Sequence, residues 1–253
     1  MIKNFILLFY QNKDESYVNE PKMSSVNKDE FQSVYKSMQR PFLNISIKML
    51  SHFYPDSTIH ILTNDSLKSS SKNVCIHIKS DLPRNHLAKF KIYNLINEPA
   101  MYMDTDILIN RPFPETATYT KNDINMFQKY NSKRLSNYLG IESATVYNAS
   151  TIWINRPSDE LNHELEEINR SVFSDDKRLV QNDMCRNNDE FSLSYYCMKH
   201  QIEMNLDESI SKPRPQISLE DISKYQSVHY AKMEFKKKMI QEFHQLHSYI
   251  KLL

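Results

Sequence analysis

Glycine is almost missing from this chain: Gly140 is the only one among 253 residues, against twenty-three asparagines. Asn and Asp tolerate positive φ best after glycine, so we expect them at the turns that require it. Neither the GxGxxG loop of dinucleotide-binding folds nor the Walker phosphate loop can be present, since both use several glycines to bring the backbone close to phosphate. If the chain binds a nucleotide diphosphate, a metal ion held by carboxylates is the obvious alternative source of positive charge.

Cysteines, net charge and long apolar runs are also scarce. The three cysteines (Cys75, Cys185, Cys197) form neither a CxxC pair nor a Cys/His metal-binding spacing, and an odd number without a framework is typical of free thiols in a reducing compartment. The net charge of +1 gives no support for binding nucleic acid. No run approaches the roughly 20 apolar residues of a membrane span, and the polar residues after 4–10 argue against a cleaved signal peptide. We therefore expect a cytoplasmic protein that binds no nucleic acid.

Hydrophobic periodicity predicts strands that alternate with helices in the first half of the chain. Strands are predicted at residues 5–11, 57–65, 73–79 and 100–110, with helices at 29–53, broken at Pro41, and from Asp81 or Arg84–Asn85 to Glu98. The second half is less regular, with a strand at 147–156 and helices at 159–173, 189–202 and 233–253. This order predicts an α/β fold with a mostly parallel central sheet, flanked by helices, and ligand chemistry at the carboxyl ends of the strands.

Asp104 and Asp106 lie two residues apart inside the apolar run at 100–110. In a strand, residues two apart point to the same side, so the two carboxylates can converge on one cation. Burying two charges in such a run is costly unless they are paired or bind metal, and their oxygens suit Mg²⁺ or Mn²⁺. A strand-end turn whose carboxylates accept backbone hydrogen bonds is the alternative interpretation.

Five further segments stand out in order along the chain: MQRPFLNISIKMLSHFYPDSTIHILTND (38–65), KFKIYNLINEPAMYMDTDILINRPF (89–113), YNASTIWINRP (147–157), NNDEFSLSYYCMKH (187–200) and SVHYAKMEFKK (227–237). Together they resemble the GT-A-fold glycosyltransferases, especially the family 8-like enzymes. The resemblance covers roughly residues 1–240. It implies one Rossmann-like GT-A domain over 1–253, with a nucleotide-binding half at 1–112, a sugar and acceptor half at 113–231 and a C-terminal helix at 232–253.

The activity that this resemblance implies is metal-dependent transfer of a sugar from a nucleotide diphosphate sugar, with UDP as the expected nucleotide. The acceptor would be a hydroxyl on a glycan or a lipid-linked glycan. The implied metal is Mn²⁺ or Mg²⁺, held by Asp104, Asp106 and His229. A lone histidine is more often packed or exposed than a ligand, so the assignment of His229 depends on that context. Ser150 stands where the family has a glycine near the donor sugar.

The resemblance also implies cations that contact the diphosphate of the donor. One lies in the helix before the aspartate pair, where Lys89 is a better match than Arg84, although either could belong to a solvated helix face. The other is a lysine after His229, and Lys236 and Lys232 compete for that role.

Three residues near strand ends are further candidates for donor binding. Asp65 could contact the nucleotide base or serve as a turn residue. Tyr10 could stack on the base or belong to the core. Asn148 lies in the segment that resembles the strand lining the sugar site.

Asp189 and Glu190 are the candidate acid/base pair, with Asp183 as a second candidate. An inverting transfer needs a carboxylate that accepts the proton of the acceptor hydroxyl, and without such a base retention is favoured. Both residues fit a helix start equally well, because acidic side chains there face the helix dipole.

The C-terminal helix carries an apolar face beside Lys232 and residues 236–238, all lysines. Such a basic amphipathic helix could contact an anionic membrane, near lipid-linked acceptors, or pack its apolar face on its own domain.

Two other classes of protein remain open. In haloacid-dehalogenase-like phosphatases the nucleophile also sits in an apolar strand with an aspartate pair, but that strand opens the domain. A non-catalytic carbohydrate- or partner-binding domain that keeps the fold is the second alternative.

Overall fold

The computed structural model of the chain describes residues 2–10, 28–185, 188–231 and 233–248, and for residues 28–36 and 233–234 it describes the backbone alone. The strands of its central sheet are β1 (Asn4–Phe9), β2 (Thr58–Thr63), β3 (Val74–Ile78), β4 (Ala100–Met103), β6 (Ile124–Met126) and β9 (Thr151–Ile154). Their order across the sheet is β3-β2-β1-β4-β9-β6. The first four of these run parallel, while β9 is antiparallel to both β4 and β6. The predicted α/β fold with a mostly parallel sheet is therefore confirmed.

The predicted strand at 100–110 is wrong, because the chain changes sheets inside it. After β4, residues 104–106 form a turn, and β5 (Ile107–Ile109) joins a second sheet of order β10-β11-β5 with β10 (Lys212–Pro213) and β11 (Ser227–His229). The Asp104 amide donates to Ser150 O at 2.8 Å, beside the first sheet, and the Tyr230 amide donates to Asp106 O at 2.9 Å, beside the second. The two carboxylates thus project from a turn between two sheets.

The predicted strand at 147–156 and the break at Pro41 are also wrong. The strand β9 begins only at Thr151, because residues 148–150 form a turn. The helix α1 (Lys28–Phe53) continues through Pro41. Proline removes one helical hydrogen bond, but Phe42, Leu43 and Ile45 are fully buried in the core, and such packing supplies most of a helix's stability in proteins.

The helix predicted before the aspartate pair is a short 3₁₀ helix, His86–Ile92. Asn85 caps it, since its Oδ1 accepts the Leu87 amide at 2.9 Å, which agrees with the predicted start. It ends before Leu95, where the Leu95 amide donates to Ile92 O at 3.3 Å, three residues back. The i,i+3 pattern repeats every three residues, so His86 and Lys89 lie on the same side.

The other described elements complete the layers around the sheet. A two-stranded ribbon pairs β7 (Lys129–Asn131) with β8 (Thr145–Tyr147). The remaining α-helices are α2 (Lys133–Leu139), α3 (Asp159–Ser171), α4 (Asp176–Gln181), α5 (Asp189–Lys199) and α6 (Met233–Leu246). Further 3₁₀ helices are Glu115–Thr118, Arg214–Gln216 and Ile222–Lys224.

The expected use of Asn or Asp at positive φ is met by Asp183, but by no asparagine in the part of the chain that the structure describes. There, positive φ occurs at Gly140, Asp183 and Gln201 alone. Gly140 ends α2 in the left-handed conformation, the usual place for a glycine. Asparagines instead begin helices, as Asn188 does for α5, where its Oδ1 accepts the Phe191 amide at 3.1 Å.

The C-terminal helix packs on its own domain. Met239 and Phe243 of α6 are fully buried in the same core cluster as residues of α1, and Phe235 and Leu246 pack against that cluster. The apolar face is therefore covered by protein, and the predicted membrane contact gains no support. Within the described ranges, no helix has the length and apolar character needed to cross a bilayer.

Candidate metal and donor site

Two carboxylates and one imidazole converge beyond the end of β4. Asp104, Asp106 and His229, which we call the carboxylate cluster, each offer a ligand atom, and these atoms lie within 4.8 Å of one another. His229 Nε2 is 3.4 Å from Asp106 Oδ1 and 3.9 Å from Asp104 Oδ2. The long-range pairing of β11 with β5 produces this contact, because it sets His229 opposite Ile107, directly after the turn.

The turn that carries the carboxylates is held on several sides. Ser46, a buried residue of α1, donates its hydroxyl to Thr105 O at 3.0 Å. The Tyr102 hydroxyl donates to Asp104 Oδ1 at 2.5 Å. These hydrogen bonds help to position the turn, and Asp104 is the more exposed of the two carboxylates, at 24% against 9% for the Asp106 side chain.

Opposite charges lie close together in the cluster and shift the pKa values of its members. Burial raises the pKa of Asp106, but Lys236 and His229 lower that pKa by more, so Asp106 stays ionised far below its usual range. Burial lowers the pKa of His229, and Asp106 raises it by more. Lys236 Nζ contacts Asp106 Oδ2 directly. The negative charge of the turn is thus already compensated by neighbouring cations.

The donor set fits a hard divalent cation. Two carboxylate oxygens and one imidazole nitrogen are ligands that Mn²⁺ and Mg²⁺ accept. His229 Nε2 faces both carboxylates, the position from which an imidazole would share an ion with them. The other ring nitrogen, Nδ1, is buried and has no hydrogen-bond partner among the described residues, so no competing contact inside the protein holds the ring away from an ion.

Lys89 connects the aspartate turn to the start of α5. Its ammonium is buried and lies 3.1 Å from Asp104 Oδ1 and 2.6 Å from Asp189 Oδ2, and it donates to Ala149 O at 3.2 Å. Burial lowers the pKa of Lys89, but Asp104 and Asp189 raise it by more, so it is firmly protonated. The solvated helix face considered for Lys89 is wrong, because the short 3₁₀ helix turns this side chain inward.

Asp189 and Glu190 have opposite environments although they are neighbours. Burial raises the pKa of Asp189, but Lys89 and His86 lower it by more, and His86 Nδ1 lies 3.1 Å from its carboxylate. Burial, then the charge of Asp189, raises the pKa of Glu190. The Tyr130 hydroxyl donates to Glu190 Oε2 at 3.1 Å and the Ala149 amide to Oε1 at 3.3 Å. Asp189 is thus held in an ion pair, while the pKa of Glu190 lies above that of an ordinary glutamate.

The remaining predicted contacts spread along the same edge of the sheet. Tyr10 and Asp65 follow β1 and β2 as Asp104 follows β4, and parallel strands end at one edge. Tyr10 is buried in a core cluster, and Arg84 donates to Asp65 Oδ1 at 2.7 Å. Their contacts to a nucleotide stay predictions. Lys232 lies outside the described residues.

Asn148 and Ser150 form a compact turn before β9. The Ser150 amide donates to Asn148 Oδ1 at 3.1 Å, and Ser150 has no positive φ, so this backbone does not require the family's glycine. Asn148 also lines a cavity of about 360 Å³ together with Gln128, Tyr130 and Lys212. The cavity therefore begins beside the residues that hold Asp104 and Glu190.

Sequence reasoning missed three side chains of the site: His86, Tyr102 and Tyr130. His86 lies three residues before Lys89, and residues three apart share one face of a 3₁₀ helix. Tyr102 lies two residues before Asp104, the spacing of one strand face. Tyr130 reaches Glu190 from β7, and nothing in its local sequence indicates that contact.

Comparisons with known proteins agree with the fold. No protein-family model matches the chain, and no curated protein matches its sequence significantly. The galactosyltransferase LgtC, in complex with donor and acceptor sugar analogues, matches with a TM-score of 0.51 and 12% identity over 94% of this chain and 95% of LgtC. An active-site mutant of LgtC matches over the same shares, with a TM-score of 0.53 and 11% identity. The apo form of the glycosyltransferase GlyE from Streptococcus pneumoniae has a TM-score of 0.50 and 12% identity over 97% of this chain and 64% of GlyE. The chain therefore has the GT-A fold of these glycosyltransferases.

Proposed function

We propose that this protein is a metal-dependent glycosyltransferase that uses a nucleotide diphosphate sugar, with UDP as the expected nucleotide. The carboxylate cluster carries the proposal, because it joins two carboxylates and an imidazole at the carboxyl end of a parallel sheet, where α/β folds bind ligands. Asp104, Asp106 and His229 would hold Mn²⁺ or Mg²⁺. When bound, that ion would stabilise the charge that develops on the leaving diphosphate.

Two lysines support an anionic ligand beside the cation. Lys89 and Lys236, which are far apart in the sequence, each contact one carboxylate of the turn. An ammonium that neutralises a carboxylate can also contact a diphosphate that shares the same cation. Lys236 is our choice for the late diphosphate contact, and Lys89 both orients Asp104 and balances the buried charge of Asp189.

Glu190 suits the role of proton acceptor better than Asp189. A useful base has a pKa near the working pH, and the environment moves the pKa of Glu190 upward and that of Asp189 downward. A base at Glu190 would give an inverted product, and transfer without it a retained one. Proton NMR of the first anomer released separates the two outcomes.

The cavity beside Asn148 is a candidate for the acceptor. It is lined by amide, hydroxyl and ammonium groups, from Gln128, Tyr130 and Lys212 among others, which suit the hydroxyls of a glycan. Tyr130 belongs both to the cavity and to the hydrogen bond with Glu190, so an acceptor hydroxyl there would lie near that carboxylate. We propose a glycan or a lipid-linked glycan as the class of acceptor.

The first test is thermal stability with UDP, with and without Mn²⁺. Binding at a hundred times Kd adds about 2.7 kcal/mol to the free energy of unfolding, so a metal-dependent rise in melting temperature should be clear. Asp106→Asn should abolish it. Asp123→Asn is the matched control, because Asp123 forms an exposed ion pair with Arg156. Equal stabilisation by UDP in EDTA would refute the metal site.

The second test separates the classes of protein. Release of UDP from a panel of UDP-sugars in Mn²⁺ identifies a transferase. UDP binding without release from any donor or acceptor would instead favour the non-catalytic binding domain. Cleavage of a generic phosphomonoester, with no UDP released, would favour the phosphatase.

A further inference from the structure

A second group of metal-ligand side chains lies on the sheet, apart from the proposed active site. His60 of β2 and Cys75 and His77 of β3 offer two imidazole nitrogens and one thiol, all within 4.8 Å of one another. We call them the thiol–imidazole cluster. His60 Nδ1 is 3.0 Å from His77 Nε2, and Cys75 is exposed and outside any disulfide. Strand β1 lies between these strands and β4, which leads to the carboxylate cluster.

The register of the two strands creates the cluster. β2 and β3 are parallel, with His60 opposite Cys75 and Leu62 opposite His77. Alternate residues of a strand share a face, so all three ligand side chains project from the same face of the sheet. The sequence shows no metal-binding spacing at Cys75, because His60 lies on a different strand from Cys75 and His77.

An outer contact prepares His60 as a ligand. His60 Nε2 lies 3.3 Å from Asn4 Oδ1, and the Asn4 amide nitrogen donates to Glu98 Oε2 at 3.0 Å. Because the Asn4 amide nitrogen donates to the Glu98 carboxylate, the Asn4 amide oxygen faces His60, and an amide oxygen accepts hydrogen bonds. His60 therefore carries its proton on Nε2, and its Nδ1 offers a lone pair toward His77. Metal-binding histidines commonly have such a contact on the other ring nitrogen.

We propose that His60, Cys75 and His77 bind one Zn²⁺ per chain, with solvent in the fourth position. Imidazole nitrogens and a thiolate are the donors that Zn²⁺ prefers, whereas Mn²⁺ and Mg²⁺ prefer oxygen. Tetrahedral Zn–N and Zn–S bonds of about 2.0–2.3 Å separate the donor atoms by about 3.3–3.6 Å. The observed separations, from 3.0 Å for the imidazole pair to no more than 4.8 Å, bracket that range.

The ion would fasten β3 to β2. β3 is the outermost strand of the described sheet on that side, and an edge strand has one row of backbone groups without a strand partner. Zinc would hold this strand in register independently of any nucleotide. The consequence is a metal requirement for stability that is separate from the metal requirement for transfer.

The test uses tag-free full-length protein, freed of metal under a thiol reductant and titrated with Zn²⁺ by calorimetry. The parent chain should bind one Zn²⁺ at this cluster and melt at a higher temperature with it. Co²⁺ in its place should give the near-ultraviolet charge-transfer band of a cobalt thiolate. Cys75→Ser and His77→Gln should each lose that Zn²⁺ and that band. Asn4→Ser should weaken binding by about 10- to 100-fold, as loss of an outer contact does.

Asp106→Asn is the control that separates the two sites. It should keep the Zn²⁺ and the cobalt band, while Cys75→Ser keeps the Mn²⁺-dependent stabilisation by UDP. Loss of Zn²⁺ in Asp106→Asn with retention in Cys75→Ser and His77→Gln would overturn the proposal. A cobalt complex of the parent chain without the thiolate band would overturn it as well.

Discussion

The carboxylate cluster and the thiol–imidazole cluster differ in their donors and in their surroundings. The first has two carboxylates, each in contact with a lysine, Lys89 or Lys236. The second has no carboxylate ligand and rests on the Asn4 amide. Ammonium groups beside a cation site are useful when the site also binds an anion, while an amide that orients an imidazole is useful when only the cation binds. We therefore propose a metal–diphosphate site at the first cluster and a site for a cation alone at the second.

Asp106→Asn should have the largest effect of the variants considered, and it should impair the carboxylate cluster while leaving the thiol–imidazole cluster unchanged. A catalytic metal contributes several kcal/mol to the transition state, so UDP release should fall about 10³-fold or more. Initial rates in Mn²⁺ measure this, with Asp123→Asn as the control. A rate within tenfold of the parent would contradict a catalytic role for the cluster.

Arg214→Met should loosen the support of the carboxylate cluster and leave the other intact. The Arg214 guanidinium makes two hydrogen bonds to the Glu242 carboxylate, at 2.8 and 2.9 Å, and Tyr230, next to His229, donates to the same carboxylate at 2.5 Å. Breaking a buried ion pair strands a charge, so the free energy of unfolding should drop by about 3 kcal/mol or more.

Urea denaturation measures that loss. Arg156→Met is the matched control, because Arg156 pairs with Asp123 on the surface and such pairs contribute little. An equal loss in the free energy of unfolding for Arg214→Met and Arg156→Met would show that the buried Arg214–Glu242 pair does not stabilise the packing of α6 beside β11.

Glu190→Gln should lower the rate by about 10²-fold while binding of UDP and Mn²⁺ is retained, because loss of a general base affects the proton transfer and not the metal ligands. Separate measurement of kcat and of UDP-induced stabilisation distinguishes the two effects. A fall in UDP binding equal to the fall in kcat would place Glu190 in donor binding instead.

The sequence predicts which side chains of the carboxylate cluster come together better than it predicts the backbone that holds them. Asp104 and Asp106 stand out because charges inside an apolar run need a partner, and that reasoning does not depend on the backbone conformation. The turn between two sheets depends on the pairing of β11 with β5, in which His229 lies opposite Ile107, and local periodicity does not contain a contact between residues so far apart in the chain. The ligand assignments, like the division at residues 112 and 231, stay predictions until tested.

The thiol–imidazole cluster was missed for a related reason. Spacing rules for cysteine and histidine detect ligands that are close along the chain. Here the parallel register of β2 and β3 brings His60 to Cys75. Likewise, hydrophobic periodicity found α1 but predicted a break at Pro41, because the burial that stabilises this helix is a tertiary property.

Tyr130→Phe should have the smallest effect, and it tests whether Glu190 is the base whose ionisation limits turnover at low pH. Burial and Asp189 raise the pKa of Glu190, and the Tyr130 hydroxyl, which donates to the ionised carboxylate, partly lowers it. Removing that hydroxyl should raise this pKa further. A base must be ionised to act, so the acid limb of the pH profile of kcat/KM should move to higher pH, by about 0.7 pH unit for a hydrogen bond of about 1 kcal/mol.

The pH profile of UDP-sugar turnover measures the shift, with Tyr147→Phe as the control. Tyr147 lies on β8, the partner strand of β7, and neither hydrogen bond of Glu190 comes from it. Its profile should match that of the parent chain. An acid limb that moves to lower pH in Tyr130→Phe, or that persists unchanged in Glu190→Gln, would assign the titration to another group, because loss of a donor to an ionised carboxylate can only raise the pKa of that carboxylate.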